Sequence, residues 1–543
     1  MQANAQVARQ GLSYKWIVAL VVILGAFMSV LDQTVVNIAI PRLQNAFGAD
    51  IHTVQWVVTA YLLTQGAMTP TASYLANNFG IKRSYIFSLI AFTLGSLLCG
   101  LSWSLPVLIL FRVLQGLGGA ILLPLSFTMI FREFPPDQRG LALGTLGVPT
   151  LLAPALGPIL GGYLVTYVGW QVIFFINIPI GIVALILATL FLREARAEER
   201  SRFDLPGFLT AAYGLAALLY AFSQTTTDGW GSTKVLGFLL SGALSLIAFI
   251  AIEINKANRG AQPLLDLRLF TNRSFAAGNI GLILVIFGLF GSFFLLPIYL
   301  QVLRGQNAYQ AGLILLPQAL AAMVSVVLGG RLVDRVGVRA VVIPGLLLLA
   351  FADWQLTFIT LTSPFWWLQL LLVLLGLALG LTGQPLVVAA LADIREAKQV
   401  GDASTITTVT RSVGASMGIA ILATFVQTQT KVHFAHLVEQ VTASSPLGQL
   451  LPRLQGLFMQ HAANAQAANT AALQLIARIL QRQSYLLAIQ DAFFLIIALV
   501  ILAMVATLFV KERRRPTPPS TESPESPVSD AAESAPTEPV LVG

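Results

Sequence analysis

Long apolar runs separated by short polar breaks set the rhythm of this chain. Each run approaches the roughly 20 residues that a helix needs to cross the hydrocarbon core of a bilayer. The pattern predicts helices over 16–40, 55–76, 84–104, 105–131, 141–166, 171–192, 207–223 and 233–252, then over 275–301, 309–330, 340–361, 364–392, 402–427 and 485–510. Fourteen spans are therefore expected. Two segments break the rhythm. Residues 428–484 are rich in Ala, Gln and Asn and read as a soluble helical excursion, and the Pro/Ser/Glu-rich tail over 511–543 is expected to be disordered.

Composition sharpens the class. The chain has 543 residues, 56% of them hydrophobic and only 10% charged, with a mean hydropathy of +0.79, too little charge to cover a soluble protein of this size. The formal charge of +8 invites a nucleic-acid partner until the cations are placed. With the N-terminus inside, 23 of the 32 fall in inner segments and 7 in outer loops, leaving Arg112 and Arg411 within spans. A miscounted helix would invert every later loop and destroy this positive-inside bias. The expectation is a multi-pass protein of the cytoplasmic membrane with both termini cytoplasmic, its surroundings the lipid bilayer, and no nucleic acid. The first apolar run is too long for a signal peptide and lacks a small-residue cleavage site, so it is expected to stay as the first span. Cys99 is the lone cysteine and sits in an apolar run, which excludes an intrachain disulfide.

A repeat organises the spans. Ser73 to Arg83, with Gly80, Lys82 and Arg83, follows the second span, and Gly330 to Arg339, with Asp334, Arg335 and Gly337, follows the tenth. Both are tight, basic, inner turns with the register Leu-x-x-x-x-Gly, offset by 257 residues. Two such loops at equivalent places imply two six-helix halves, 16–192 and 275–510, flanked by the N-terminus 1–15 and the tail. The linker 193–274 carries two extra spans. Transporters are often built from such repeats, with the substrate near mid-membrane between them.

These loops resemble the G-x-L-a-D-r-x-G-r-k signature of the major facilitator superfamily, and the chain is similar to its fourteen-span drug:proton antiporter branch. The first loop departs from the signature: Ser73 stands for the glycine, Asn77 for the aspartate, Asn78 for the arginine and Ile81 for a basic residue. The second keeps Gly330, Asp334, Arg335 and Gly337, which leaves Asp334 as the better candidate for charge-based gating. Leu110 to Gly119 resembles the family's R-x-x-q-G motif, which implies a part for Arg112 in proton coupling. Span 5, with Gly147, Pro154, Gly157, Pro158, Gly161 and Gly162, is similar to the G-P-x-x-G-G motif of the export branch. Three prolines (Pro149 is the third) remove backbone hydrogen bonds and should bend this helix. The segments Trp170–Pro179, Phe203–Gly207 and Gly401–Gly418 add further likeness.

The chemistry centres on Asp32, in Leu31-Asp32-Gln33-Thr34. A charge at bilayer depth costs at least ~2.5–3.5 kcal/mol on insertion scales, and such residues are rare and functional as a rule. Asp32 lies about eight residues before its span's outer end and Arg112 about seven after its own span's outer start, so both sit roughly 10–12 Å below the outer surface. Movement of Arg112 toward or away from Asp32 would load and release a proton; a static pair that only orders the helices is the alternative. The other intramembrane charges are Asp353, Arg411 and Asp491. Spans 11 and 14 are peripheral in the family's fold, so Asp353 and Asp491 are expected to be structural, and Arg411 to be held by backbone carbonyls or an unidentified partner. The resemblance also makes Gln33, Asn37, Gln65, Gln115, Tyr299, Gln318 and Gln384 neutral contacts in the substrate cavity, which suits amphipathic drugs better than sugars or phosphates.

No phosphate-binding loop is present, the four histidines lie outside the spans, and neither enzyme activity, cofactor nor metal site is expected. The expected fold is all-α. The expected function is proton-coupled efflux of amphipathic drugs or other xenobiotics by alternating access, with protons and an amphipathic small molecule as ligands. A dedicated exporter of one endogenous metabolite, lipid or antibiotic is the nearest alternative, and a non-transporting membrane sensor a more distant one. The outer loop offers a surface to a periplasmic adaptor, although no motif in it names one.

Overall fold

Helices are the only regular structure among the described residues of the computed structural model, as apolar runs in a solvent without hydrogen-bonding partners require. The structure describes residues 13–510 except 136, 195–202, 393, 395, 443 and 461–464. It describes the backbone alone at 51, 52, 154, 155, 158, 166, 226, 290, 308, 397, 398 and 446. The tail expected to be disordered thus lies outside the described residues.

An N-terminal set comprises α1 (Tyr14–Phe47), α2 (Ile51–Met68), α3 (Thr71–Phe79), α4 (Ile81–Gly100), α5 (Leu105–Glu133), α6 (Arg139–Tyr167), α7 (Val172–Phe175) and α8 (Asn177–Phe191). A pair follows, α9 (Leu205–Asp228) and α10 (Thr233–Asn258). The C-terminal set comprises α11 (Arg273–Ile298), α12 (Ala308–Val336), α13 (Val338–Leu356), α14 (Phe365–Leu391), α15 (Ala397–Glu439), α16 (Pro446–Met459) and α17 (Ala465–Thr507). Among the described residues twelve helices are long and apolar enough to cross a membrane, α7 and α8 counting together. The other two expected spans fall on α2–α3 and α6, which are helical but not among the twelve. Both lie within the bundle, α2 against α5 and α9, α6 against α1 and α12.

The 257-residue offset carries through the elements. Shifted by it, α2–α3 covers α12, α4 covers α13, α5 covers α14 within a few residues, and the start of α6 meets that of α15. Gly80 and Gly337, one offset apart, have φ of 95° and 93°, and each ends one helix and starts the next. That turn needs a positive φ, which glycine alone adopts without steric cost. The copies differ at one place: the span expected over 55–76 is broken at Thr69-Pro70, where α12 runs straight on. Pro70 lacks an amide hydrogen and cannot continue the ladder, and the Gln65 carbonyl takes both the Thr69 amide at 3.0 Å and the Thr69 hydroxyl at 2.7 Å.

Most described residues of the excursion over 428–484 are helical. The two 43-residue helices α15 and α17 run through it and are joined by α16. At ~1.5 Å per residue each reaches about 65 Å, roughly twice a hydrocarbon core. The helix pair α9–α10 bridges the two sets: α9 packs on α2 and on α15, and Trp230 donates to the Thr424 hydroxyl at 2.8 Å.

Candidate functional site

Asp32 and Arg112, 80 residues apart, are in direct contact, with Arg112 Nη1 2.6 Å from Asp32 Oδ2. Five helices build the surroundings. Gln115, one turn along α5 from Arg112, donates from Nε2 to Asp32 Oδ1 at 2.9 Å and accepts from Arg112 Nη1 at 2.7 Å. Asn177, at the start of α8, donates to the same Asp32 oxygen at 3.1 Å and to Ser96 Oγ of α4, also at 3.1 Å. Arg112 Nε donates to the Val57 carbonyl of α2 at 2.9 Å, and the Tyr61 ring lies 4.2 Å from the guanidinium carbon. Asp32, Arg112, Gln115, Asn177 and Ser96 are all 0–1% exposed.

The carboxylate therefore accepts three hydrogen bonds from side chains, the condition under which a buried ion pair is held rather than merely tolerated. Two polar atoms stay unpartnered in the network, Arg112 Nη2 and Asn177 Oδ1. Every partner in the network comes from the N-terminal set. Asn177, Ser96 and Tyr61 were not singled out from sequence. The available signals were an asparagine interrupting an apolar run two residues before Pro179, and a serine isolated among leucines.

The remaining candidates divide. Gln33 and Gln65 are half-buried and joined, amide to carbonyl oxygen, at 3.2 Å, and exposed Asn37 donates to the Gln33 carbonyl at 3.0 Å, so these three form a polar strip on α1 and α2. Gln115 belongs to the sealed network. Tyr299 is fully buried, donates to the Thr360 carbonyl at 2.6 Å and accepts from Arg304, directly after the C-terminal end of α11. Gln318 and Gln384 are buried in helix packing, the latter against Gly147. Asp353, fully buried in α13, accepts one 3.4 Å hydrogen bond from Ser292, and its second oxygen has no partner. Asp491 is not alone: His433 Nε2 lies 2.7 Å from its carboxylate.

The span-5 motif works through contact. Gly157 lies against Thr34, and a Cβ added at Gly161 would stand 3.1–3.2 Å from Val35 and Ile38, so these glycines let α6 close on α1. Gly162 faces open space, and the side chains of Pro154 and Pro158 lie outside the described residues. At the predicted inner end the two sets meet. Asp334 of α12 accepts from the Gly140 and Leu141 amides at the start of α6, both at 2.9 Å. Gly330 and Gly140 touch backbone to backbone, and Ser73 donates to Asp402 of α15. Every residue of 124–131, 384–391 and 400–408, the inner stretches of α5, α14 and α15, is buried. That end is closed. The first loop acts locally: Lys82 donates to the Thr189 carbonyl at 2.7 Å and Arg83 approaches Glu194, while Arg335 is exposed.

Residues 22–419 match the Major Facilitator Superfamily. Over 406 residues the chain is 36% identical to a multidrug resistance protein B homolog of Mycobacterium tuberculosis (strain ATCC 25618 / H37Rv), covering 74% of each. Over 410 residues it is 32% identical to the tetracenomycin C resistance and export protein of Streptomyces glaucescens, covering 75% of each. Among solved structures, a double-tryptophan mutant of XylE superposes with a TM-score of 0.55 at 16% identity, over 92% of this chain and 97% of the other.

Proposed function

The chain belongs to the Major Facilitator Superfamily, and from that premise we propose that it exports amphipathic drugs or other xenobiotics across the cytoplasmic membrane in exchange for protons. The sealed Asp32–Arg112 pair carries this reading. Protonating Asp32 would leave Arg112 an uncompensated buried cation, and breaking a buried pair in this way costs about 3–5 kcal/mol. A proton arriving there therefore changes the relative energies of the conformations in which Arg112 finds other acceptors. Coupling requires just such a differential.

In the proposed cycle the N-terminal and C-terminal sets are rigid halves of a fourteen-span transporter with both termini cytoplasmic. Their inner contact, held by Asp334 and Asp402, closes the cytoplasmic side while the substrate leaves outward. Proton binding at Asp32 then releases Arg112 and favours opening of the inner end. Export as the direction is supported by the span-5 motif and by the names of the two relatives above. The second of those names also supports a dedicated exporter of a single compound. Asp353 and the His433–Asp491 pair lie apart from this route and order the helices.

Dye efflux from energised cells tests the reading. An uncoupler should abolish efflux, and Asp32→Asn should reduce it to background while the protein still reaches the membrane. Efflux that persists in either case refutes proton coupling through Asp32. Protection against a panel of unrelated compounds separates the multidrug reading from the dedicated one.

A further inference from the structure

Among the described residues Arg411 is an intramembrane cation without a carboxylate counterpart, just as Asp353 is an anion without a cation. It lies on α15 in the C-terminal set, and its guanidinium crosses toward the N-terminal set, 5.8 Å from the Phe127 ring of α5. Among the described residues it has neither hydrogen bond nor ion pair, so the backbone carbonyls expected to hold it do not. It is partly accessible, unlike Arg112. A cation within the membrane is costly and is retained where it pairs or acts.

No acid among the described residues pairs with it. Asp32 is neutralised by Arg112 and sealed, Asp353 is enclosed beside Ser292, and Asp491 meets His433. The acids at the contact of the two helix sets are engaged elsewhere, Asp334 by the Gly140 and Leu141 amides and Asp402 by Ser73 and the Asp266 amide, and none of them forms an ion pair with Arg411. Two further donors share its face of α15: Ser404 lies seven residues before it and Thr407 four, the spacings that align side chains on a helix. Both are 0% exposed, and Ser404 Oγ and Thr407 Oγ1 have no hydrogen-bond partner. A buried hydroxyl that forgoes bonding is a liability unless another state or a ligand satisfies it. These two lie in the closed inner stretch, which alternating access would open to the substrate.

We propose that Arg411, with Ser404 and Thr407, is the anion-recognising element of the substrate path, selecting amphipathic compounds that bear a carboxylate or a comparable acidic group. The guanidinium fork matches a carboxylate in two parallel hydrogen bonds. Phe127 and Ile283, which borders Gly414 one turn along α15, offer apolar surface to the rest of the compound. The inference rests on the export reading above and narrows its substrates to acids rather than cations.

A matched pair of probes tests it: a hydroxycoumarin carboxylate and its uncharged ethyl ester, measured for equilibrium binding to the purified full chain and for transport in proteoliposomes. The wild type should bind the carboxylate more tightly than the ester. Arg411→Gln should lower the carboxylate-to-ester affinity ratio at least tenfold, and Arg411→Lys should restore part of it. Thermal unfolding checks that each variant is folded. A wild type that does not bind the carboxylate, or an Arg411→Gln variant whose ratio stays put or which loses both probes alike, overturns the assignment. Carboxylate binding that depends on Arg411 without proton-driven transport supports the assignment and refutes the export reading instead.

Discussion

At the scale of the residue, Asp32 and Arg112 behave as one group. Replacing Asp32 with Asn keeps the shape but strands the guanidinium in a dry interior, so the variant should lose about 3–5 kcal/mol of stability. Adding Arg112→Gln removes the stranded charge and should recover most of that loss, without restoring proton-driven efflux. Thermal unfolding of the four members of this cycle in detergent measures the coupling. Equal and additive losses would mean that the pair is not energetically linked. Both charges were legible from sequence because a charge in an apolar run is conspicuous, and their depths matched by simple counting. Asn177 and Ser96 were not legible. Neutral polar residues are unremarkable in spans, and only the packing of α4 and α8 against α1 brings them to the carboxylate. Tyr299 was misleading for the opposite reason. Its span suggested a cavity position, but the wider helical turn over Tyr299–Leu303 directs its hydroxyl to the Thr360 carbonyl.

At the scale of the element, the repeat was legible from two short loops, and its 257-residue offset proves to govern the boundaries of most helices between them. Where the copies depart, single residues account for it. Pro70 breaks α2 from α3, whereas Val327 at the equivalent place in α12 leaves that helix intact. The latch between the two sets shows the same economy. Asn77 replaces the acid of the first loop, and the carboxylate comes from the other side instead, where Asp402 of α15 receives the Ser73 hydroxyl. Asp334 keeps its acid and caps the start of α6, where exposed amides and the helix dipole favour an anion. Asp334→Asn should therefore weaken the closed inner end by about 1–2 kcal/mol, a 5–30-fold change in the closed-to-open ratio. Distances between spin labels on the inner ends of α6 and α12 should broaden toward longer values. An unchanged distribution would show that helix packing alone holds the end shut.

At the scale of the whole molecule, the distribution of charge decides what the membrane potential can drive. One proton entering for each uncharged molecule leaving moves one charge, worth ~2.3 kcal/mol per 100 mV. If the departing molecule is an anion, as Arg411 leads us to expect, the two movements add, because negative charge leaving and positive charge entering have the same electrical sense. The potential then contributes about 4.6 kcal/mol per 100 mV. At 1.4 kcal/mol per factor of ten, the limiting gradient at 100 mV is roughly 50-fold for the ester and roughly 2,000-fold for the carboxylate. Proteoliposomes with a valinomycin-clamped potential and no pH difference separate the cases. The steady-state carboxylate gradient should depend on voltage about twice as steeply, on a logarithmic scale, as that of the ester. Equal slopes would show that the charge of the acid is cancelled before it crosses, by a second proton or a co-transported cation. Arg411 would then recognise an anion that the cycle does not carry across as one.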